Sequence, residues 1–236
     1  MNRGEEDYLK VLYELQSADE KPVSNATLAL TLNHSVQSVN EMIKKLATKS
    51  YVSYTPYQGT RLTQSGTKAA VSLLRKHRLW EYFLHEKLHY SWEEIHEEAE
   101  LLEHVTSTRL EEALFDFLGR PSYCPHGNPI PTLEGLMPQL PLISLMETEP
   151  GNSYRLVRVP DEQQVLTYLL DIGLTLGNSL QVVRQDTVSD IITLKIRHEH
   201  IAIGFKVAQM LYVEPILNQT KPIHPDEQTP RMEDLT

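Results

Sequence analysis

SNATLALTLNHSVQSVNEMIKKLATKSYVSYTPYQGTRLT, residues 24–63, is the stretch on which the fold turns. Ser24 or Asn25 can cap a short helix over NATLALTL, because their side chains accept from the free N–H groups of a first helical turn. His34-Ser35 breaks that pattern. The run SVQSVNEMIKKLATK then puts Val36, Val39, Met42, Ile43 and Leu46 on one helical face. Two helices joined by a tight polar turn predict a helix-turn-helix. YVSYTP and TRLT follow as two β-rich runs flanking YQG, with Gly59 expected to supply the turn. Helix-turn-helix and then hairpin is the order of a winged helix, whose second helix enters a DNA groove. On that helix Ser35, Gln37, Ser38 and Asn40 are small or amide-bearing and can reach phosphates or base edges. Lys44, Lys45 and Arg61 suit phosphates, and Tyr57 and Gln58 fall near the wing tip. Glu41 fits such a helix if it reads a cytosine amino group or pairs with Lys45 four residues on.

Upstream, EEDYLKVLYELQ (5–16) has Tyr8, Leu9, Leu12, Tyr13 and Leu15 at helical spacing. The chain of 236 residues carries a net charge of −10, unevenly spread. Lys21 to Arg78 holds nine Lys/Arg and one acid, whereas Leu79 to Asp116 holds eleven acids and two Lys/Arg. A basic segment can bind a polyanion by counterion release even in an acidic protein, and two differently solvated surfaces would give the same pattern. No apolar run approaches the ~20 residues of a membrane span. The first residues, MNRGEEDYLK, lack the apolar core of a signal peptide. Cys124 is the sole cysteine, so no intrachain disulfide forms, and a cytoplasmic protein is expected.

Downstream, 64–88 reads as one long helix with His77 and Glu81 on one face. A second helix is expected from near Ser91, with Glu94 at the capping-box position. In IHEEAELLEHV (95–105), helical geometry puts His96, Glu100, Glu103 and His104 on a stripe about 100° wide. Carboxylates and imidazoles so arranged suit divalent cations, and a solvated acidic face is the alternative. Glu97, Glu98, Glu111 and Glu112 are expected to be solvated. A zinc-hydrolase motif fails, because Glu100 stands where H-E-x-x-H requires its second histidine. Cys124 and His126 can turn toward one ion. His198 and His200 read as surface residues on a strand.

EDYLKVLYEL (6–15), RKHRLWE (75–81), HEEAELLEHV (96–105) and CPHGNPIP (124–131), in this order and spacing, resemble the diphtheria toxin repressor family of metal-dependent transcriptional regulators. The likeness is close over about residues 5–131, and its nearest branch is manganese-responsive with a C-terminal SH3-like domain. The resemblance implies a primary metal site of Asp7, Glu100, Glu103 and His104. Iron-responsive members carry methionine and cysteine where Asp7 and Glu100 stand. The resulting oxygen-rich set suits Mn²⁺, with Fe²⁺ or Zn²⁺ as the rival ions. Small two-domain manganese regulators carry a glutamate where Lys10 stands, so their binuclear site is not expected. A secondary site is implied from Glu81, Cys124, His126 and Asp161, with Glu162 as the fallback carboxylate. His77 and His96 match ancillary ligands of the iron-responsive members.

The C-terminal third alternates short β-rich runs with one helix, DEQQVLTYLLDIGL (161–174). A small β-barrel fits, and the resemblance makes it SH3-like. The expected architecture is α+β: a winged helix over 1–63, a helical metal-binding and dimerisation domain over 64–135, a linker over 136–150, an SH3-like domain over 151–217 and a flexible tail over 218–236. The expected function is a manganese-responsive repressor of metal-uptake genes that binds an inverted-repeat operator as a homodimer. A hydrolase using His96, Glu97 and Glu100, or a metal buffer that binds no DNA, are the readings from other classes.

Overall fold

Helix α1 (Arg3–Asp19), α2 (Asn25–Thr31), α3 (Val36–Thr48) and the antiparallel hairpin β1 (Val52–Thr55)–β2 (Gly59–Leu62) open the chain. The computed structural model describes residues 1–19, 21–92, 94–138 and 142–216. α2 and α3 begin where the serines allow. Ser24 accepts from the Thr27 N–H and Ser35 from the Ser38 N–H. Tyr8, Leu9 and Leu12 of α1 share one core with Leu28, Val39, Ile43, Leu46 and Val52. Each such side chain contributes roughly 1.5–3 kcal/mol on burial. Gln16 near the end of α1 donates to the Thr60 carbonyl and accepts from the Leu62 N–H, tying the wing to the same helix. The wing turn differs from expectation. Tyr57 takes the left-handed conformation, at φ +65°. Gly59 instead opens β2 at φ +109°, where a Cβ would lie 2.7 Å from the Val23 carbonyl. The glycine lets β2 approach Val23, which bridges Thr60.

Helix α4 (Gln64–Leu88) is continuous, capped at its start by Thr63 and ended by His89 at φ +58°. α5 (Ile95–Leu102) starts four residues after Ser91, whose N–H donates to Glu94 ahead of the helix rather than within it. A 3-10 turn (Glu103–Val105) and α6 (Thr108–Phe117) follow. Glu111, expected to be solvated, is buried and pairs with Arg75 at 2.8 Å. Arg75 also sits 4.1 Å over the Phe115 ring and donates to the Pro131 carbonyl. That buried cation fastens α4, α6 and the following loop together, and Glu111 is its counter-charge. Glu97, Glu98 and Glu112 are exposed as expected.

The third region is a six-stranded antiparallel sheet of β3 (Ile143–Ser144), β4 (Ser153–Arg158), β5 (Ser179–Asp186), β6 (Ile191–Ile196), β7 (Glu199–Gly204) and β8 (Tyr212–Pro215). Its order is β3-β8-β4-β5-β6-β7. Register shifts at Leu156/Arg158 and Val182/Arg184 mark bulges, which bend a sheet over its core. Helix α7 (Gln163–Asp171) adds Leu166 and Leu169 to that core, and α8 (Phe205–Ala208) adds Ala208. The architecture is the expected α+β one, with a small SH3-like sheet. The sheet begins inside the stretch 136–150, since β3 and the buried Leu145 belong to it. His198 and His200 are exposed. The tail expected over 218–236 lies outside the described residues. No described helix is long and apolar enough to cross a membrane.

Candidate metal centres and DNA interface

Asp7 comes from α1, Glu100 from α5, and Glu103 and His104 from the 3-10 turn. One ligand atom from each lies within 4.8 Å of all the others. The tightening after Leu102 turns Glu103 inward to zero exposure. His104 Nε2 lies 3.0 Å from Asp7 Oδ1, yet neither buried atom makes a hydrogen bond. His104 Nδ1 is held by Glu6 Oε2 at 2.6 Å, which orients the ring so that Nε2 faces the group. Buried polar atoms are nearly always paired, so an orphaned pair aimed at one point fits a cation. Burial lifts the Asp7 carboxyl above its usual range, opposed by His104 and helped by Glu100.

Lys10 entered the sequence reading only as a departure from a pattern. Its ammonium reaches Glu103 at 3.0 and 3.2 Å and His77 Nδ1 at 3.3 Å, and it also bonds Glu100. Against burial, Glu103 and Glu100 raise its pKa. His77 Nδ1 lies 2.5 Å from Glu103 and its Nε2 3.2 Å from Glu81. Burial and Lys10 press its pKa down, but the two carboxylates hold it up at about 9. His77, His96 and Glu100 form another group of ligand atoms within 4.8 Å, so His96 keeps Glu100 of the stripe that helical spacing assigned it but is not grouped with Glu103 and His104.

The remaining group joins Glu81 of α4, Cys124 and His126 of the loop after α6, and Asp161 between β4 and α7. His126 Nδ1 lies 3.2 Å from Glu81 and 3.1 Å from Asp161 but makes no hydrogen bond, and Glu81 Oε2 is also unpartnered. Asn128 donates to Asp161 at 2.6 Å. Gly127 is required here, because at φ +78° its Cβ would sit 2.0 Å from the Val157 carbonyl. The loop therefore lies directly on β4, and the Val159 N–H donates to the His126 carbonyl. Trp92 donates to the Pro125 carbonyl and its ring lies 5.6 Å from that of His126. Burial, with Glu81 and Asp161 close by, pushes the Cys124 thiol up to about 12. Against burial, Asp161, Cys124 and Glu81 raise the His126 pKa. Glu162 stands outside the group, exposed at the N-cap of α7.

On the winged helix, Ser35, Gln37, Ser38, Lys44, Tyr57 and Arg61 are exposed. Asn40 is half-buried and bonded to Asn25. Gln37 donates to Glu41 at 3.4 Å. Lys45 does not pair with Glu41. It and Lys49 close on the buried Glu5 at 2.9 and 2.7 Å, and both lysines hold that carboxyl at about 2. The roles of Glu5, Glu6 and Lys49, and the contacts of Lys10, are not visible in the sequence. Their charged partners lie 40 to 98 residues away, which leaves no local spacing to detect.

Three family models match: iron dependent repressor, N-terminal DNA binding domain, over 2–60; iron dependent repressor, metal binding and dimerisation domain, over 63–132; and FeoA domain, over 143–215. The iron-dependent repressor IdeR of Mycobacterium leprae is 28% identical over 224 residues, 89% of this chain and 96% of that one. A manganese-dependent transcriptional repressor solved in complex with manganese is 34% identical at a TM-score of 0.81, covering 90% of this chain and all of the other. ScaR solved with bound Zn²⁺ is 38% identical at 0.81, covering 90% and 99%.

Proposed function

This chain belongs to the iron-dependent (diphtheria toxin) repressor family, and from that premise we propose that it senses Mn²⁺ through Asp7, Glu100, Glu103 and His104. It is a metal-dependent DNA-binding transcriptional repressor and not an enzyme. Glu97, the general base a hydrolase would need, is exposed. Its partners are double-stranded DNA and a second copy of itself. We assign the pairing to the α4–α6 region, the operator to an inverted repeat, the workplace to the cytoplasm and the controlled genes to metal uptake.

One observation carries the reading: Asp7, on the helix that packs with the reading head, converges with three residues of the helical region, and its Oδ1 and His104 Nε2 are buried there without hydrogen-bond partners. Three carboxylates and one imidazole favour a hard to borderline ion, and no sulfur enters the set. A bound divalent cation supplies the positive charge that these four ligand atoms can share. Asp7 moves with α1, because Leu9 and Leu12 are built into the winged-helix core. Drawing Asp7 to Glu100, Glu103 and His104 narrows the range of angles between the two regions. The two recognition helices of a dimer then hold the spacing of successive major grooves, about 34 Å. Coupling of this kind is typically about 1–3 kcal/mol, or ~5–150-fold in DNA affinity. Glu81, Cys124, His126 and Asp161 would hold a second ion that fastens the sheet to α4, and the thiol suits softer metals. Exposed Ser35, Gln37, Ser38, Lys44, Tyr57 and Arg61 face the DNA, while half-buried Asn40 shapes the helix start with Asn25.

Operator duplexes selected from random DNA with Mn²⁺ present give the test. Wild type binds them at least tenfold more tightly on adding Mn²⁺, within the ~5–150-fold range above. Asp7→Ala loses that gain. A reporter behind the selected operator is repressed on Mn²⁺ supply and not on Fe²⁺ supply. Equal responses of wild type and Asp7→Ala would overturn the site, and repression by Fe²⁺ alone would overturn the metal.

A further inference from the structure

We propose that a single turn of α1, Glu5–Tyr8, couples the metal group to the recognition helix, with Glu5 and Tyr8 as positioning residues for its two ends. Successive residues of a helix are 100° apart, so residues 5 and 8 share one side and residues 6 and 7 the other. The contacts follow that division. On one side, Glu6 holds His104 Nδ1 at 2.6 Å and Asp7 faces His104 Nε2 at 3.0 Å. On the other, the Tyr8 hydroxyl meets His34 Nδ1 at 3.0 Å, and their rings lie 5.8 Å apart. His34 immediately precedes Ser35, the N-cap of α3. Glu5 receives Lys45 at 2.9 Å from the last turn of α3 and Lys49 at 2.7 Å from its C-cap. Its other oxygen accepts the Asn2 N–H, which fixes the carboxylate at the start of α1.

Neither Glu5 nor Tyr8 is a ligand, and both are buried at 1–2% exposure. Buried polar side chains on one helix with partners at both ends of another fix tilt more tightly than apolar contact does, because hydrogen bonds are directional. α3 spans 13 residues, roughly 20 Å at 1.5 Å per residue, so a small change in its tilt moves Ser35, Gln37 and Ser38 appreciably. The turn thus hands a shift at His104 to the end of the helix that enters the groove.

The inference rests on the reading that Asp7 and His104 hold the metal, and the test separates the two. Hydrogen exchange by mass spectrometry on the full chain, with and without Mn²⁺, reads the segments 95–105 and 31–40 together. In wild type, Mn²⁺ slows exchange in both. In Tyr8→Phe the slowing at 95–105 is retained, while that at 31–40 shrinks by about threefold or more, as loss of one hydrogen bond implies. His34→Ala adds nothing further in the Tyr8→Phe background, which a general loosening of the fold would not produce. Glu5→Gln reduces the Mn²⁺ effect at 44–50 in the same way. Absence of slowing at 95–105 in wild type overturns the metal reading and this inference with it. Slowing at 31–40 that is equal in wild type and Tyr8→Phe overturns the coupling turn alone.

Discussion

On one side of His77 stand Asp7, Glu100, Glu103 and His104; on the other stand Glu81, Cys124, His126 and Asp161. Each group offers four candidate ligand atoms, and in each a buried glutamate contacts the same imidazole. They differ in exposure and in where the odd ligand comes from. The first group is half-open, with Asp7 and Glu100 partly exposed, and it borrows Asp7 from the helix that carries the reading head. The second is buried except at Asp161, and it borrows that residue from the connection between β4 and α7. The element that lends the fourth ligand decides which region an ion can fasten. A group open to solvent can answer to the metal supply, whereas a closed one is suited to the scaffold. Similar chemistry can therefore serve regulation at one site and architecture at the other.

The largest effect expected is on stability. Glu81 is fully buried among His77, His96 and His126, and these imidazoles hold its carboxyl far below the usual range in spite of burial. Glu81→Ala strands that positive charge, at a cost of about 3–5 kcal/mol. At ~2–4 °C per kcal/mol for a chain of this size, thermal melting in chelator falls by roughly 6–20 °C. Asp7→Ala, at a half-open position whose carboxyl is already disfavoured by burial, costs less than about 1 kcal/mol. Equal drops for the two variants would dissolve the contrast between scaffold and sensor.

The next effect is on pH. With its thiol at about 12, Cys124 is protonated at neutral pH, and an ion binding there must displace that proton. Affinity at the second group therefore rises with pH, about tenfold per unit for each proton displaced. At the first group Lys10 and other cations, opposing burial, keep the Glu100 carboxyl below its usual range, so it is ionised already and the rise is smaller. Cd²⁺–thiolate absorbance follows the second group between pH 6 and 7, and the electron-spin signal of free Mn²⁺ follows the first. Parallel slopes would mean that the two groups do not differ in protonation.

How much of this was legible follows from the range of each interaction. Capping serines and apolar periodicity act within a turn, so α2, α3 and α4 were readable from spacing alone. So was the convergence of Glu100, Glu103 and His104, although the 3-10 tightening that buries Glu103 was not. Asp7, Glu81 and Asp161 came from family likeness, since nothing local ties residue 7 to residue 104. Glu111 looked like one more acid in an acidic run. Its burial depends on Arg75, which lies 36 positions earlier and enters from the neighbouring helix. Lys10 stands out in the sequence only as a departure from the glutamate of two-domain regulators, and its contacts emerge once α1 is laid against α4 and α5, where it meets three groups from three other elements.

The smallest effect sharpens the edge of the second group. Asp161 and Glu162 are adjacent carboxylates, and sequence offered either as the ligand from the C-terminal region. Asp161 is oriented by Asn128 and lies 3.1 Å from His126, while Glu162 is an exposed N-cap whose side chain makes no capping bond. Glu162→Gln is therefore expected to leave melting within about 0.5 kcal/mol of wild type and Cd²⁺ binding unchanged. Asp161→Asn keeps the size of the side chain but loses the charge opposite His126, and Cd²⁺ binding weakens by about tenfold or more. Isothermal titration of both variants decides the matter. A loss in Glu162→Gln equal to that in Asp161→Asn would mean that the group responds to net charge near α7 rather than to one placed oxygen. The second site would then be a diffuse acidic patch and not a counterpart of the first.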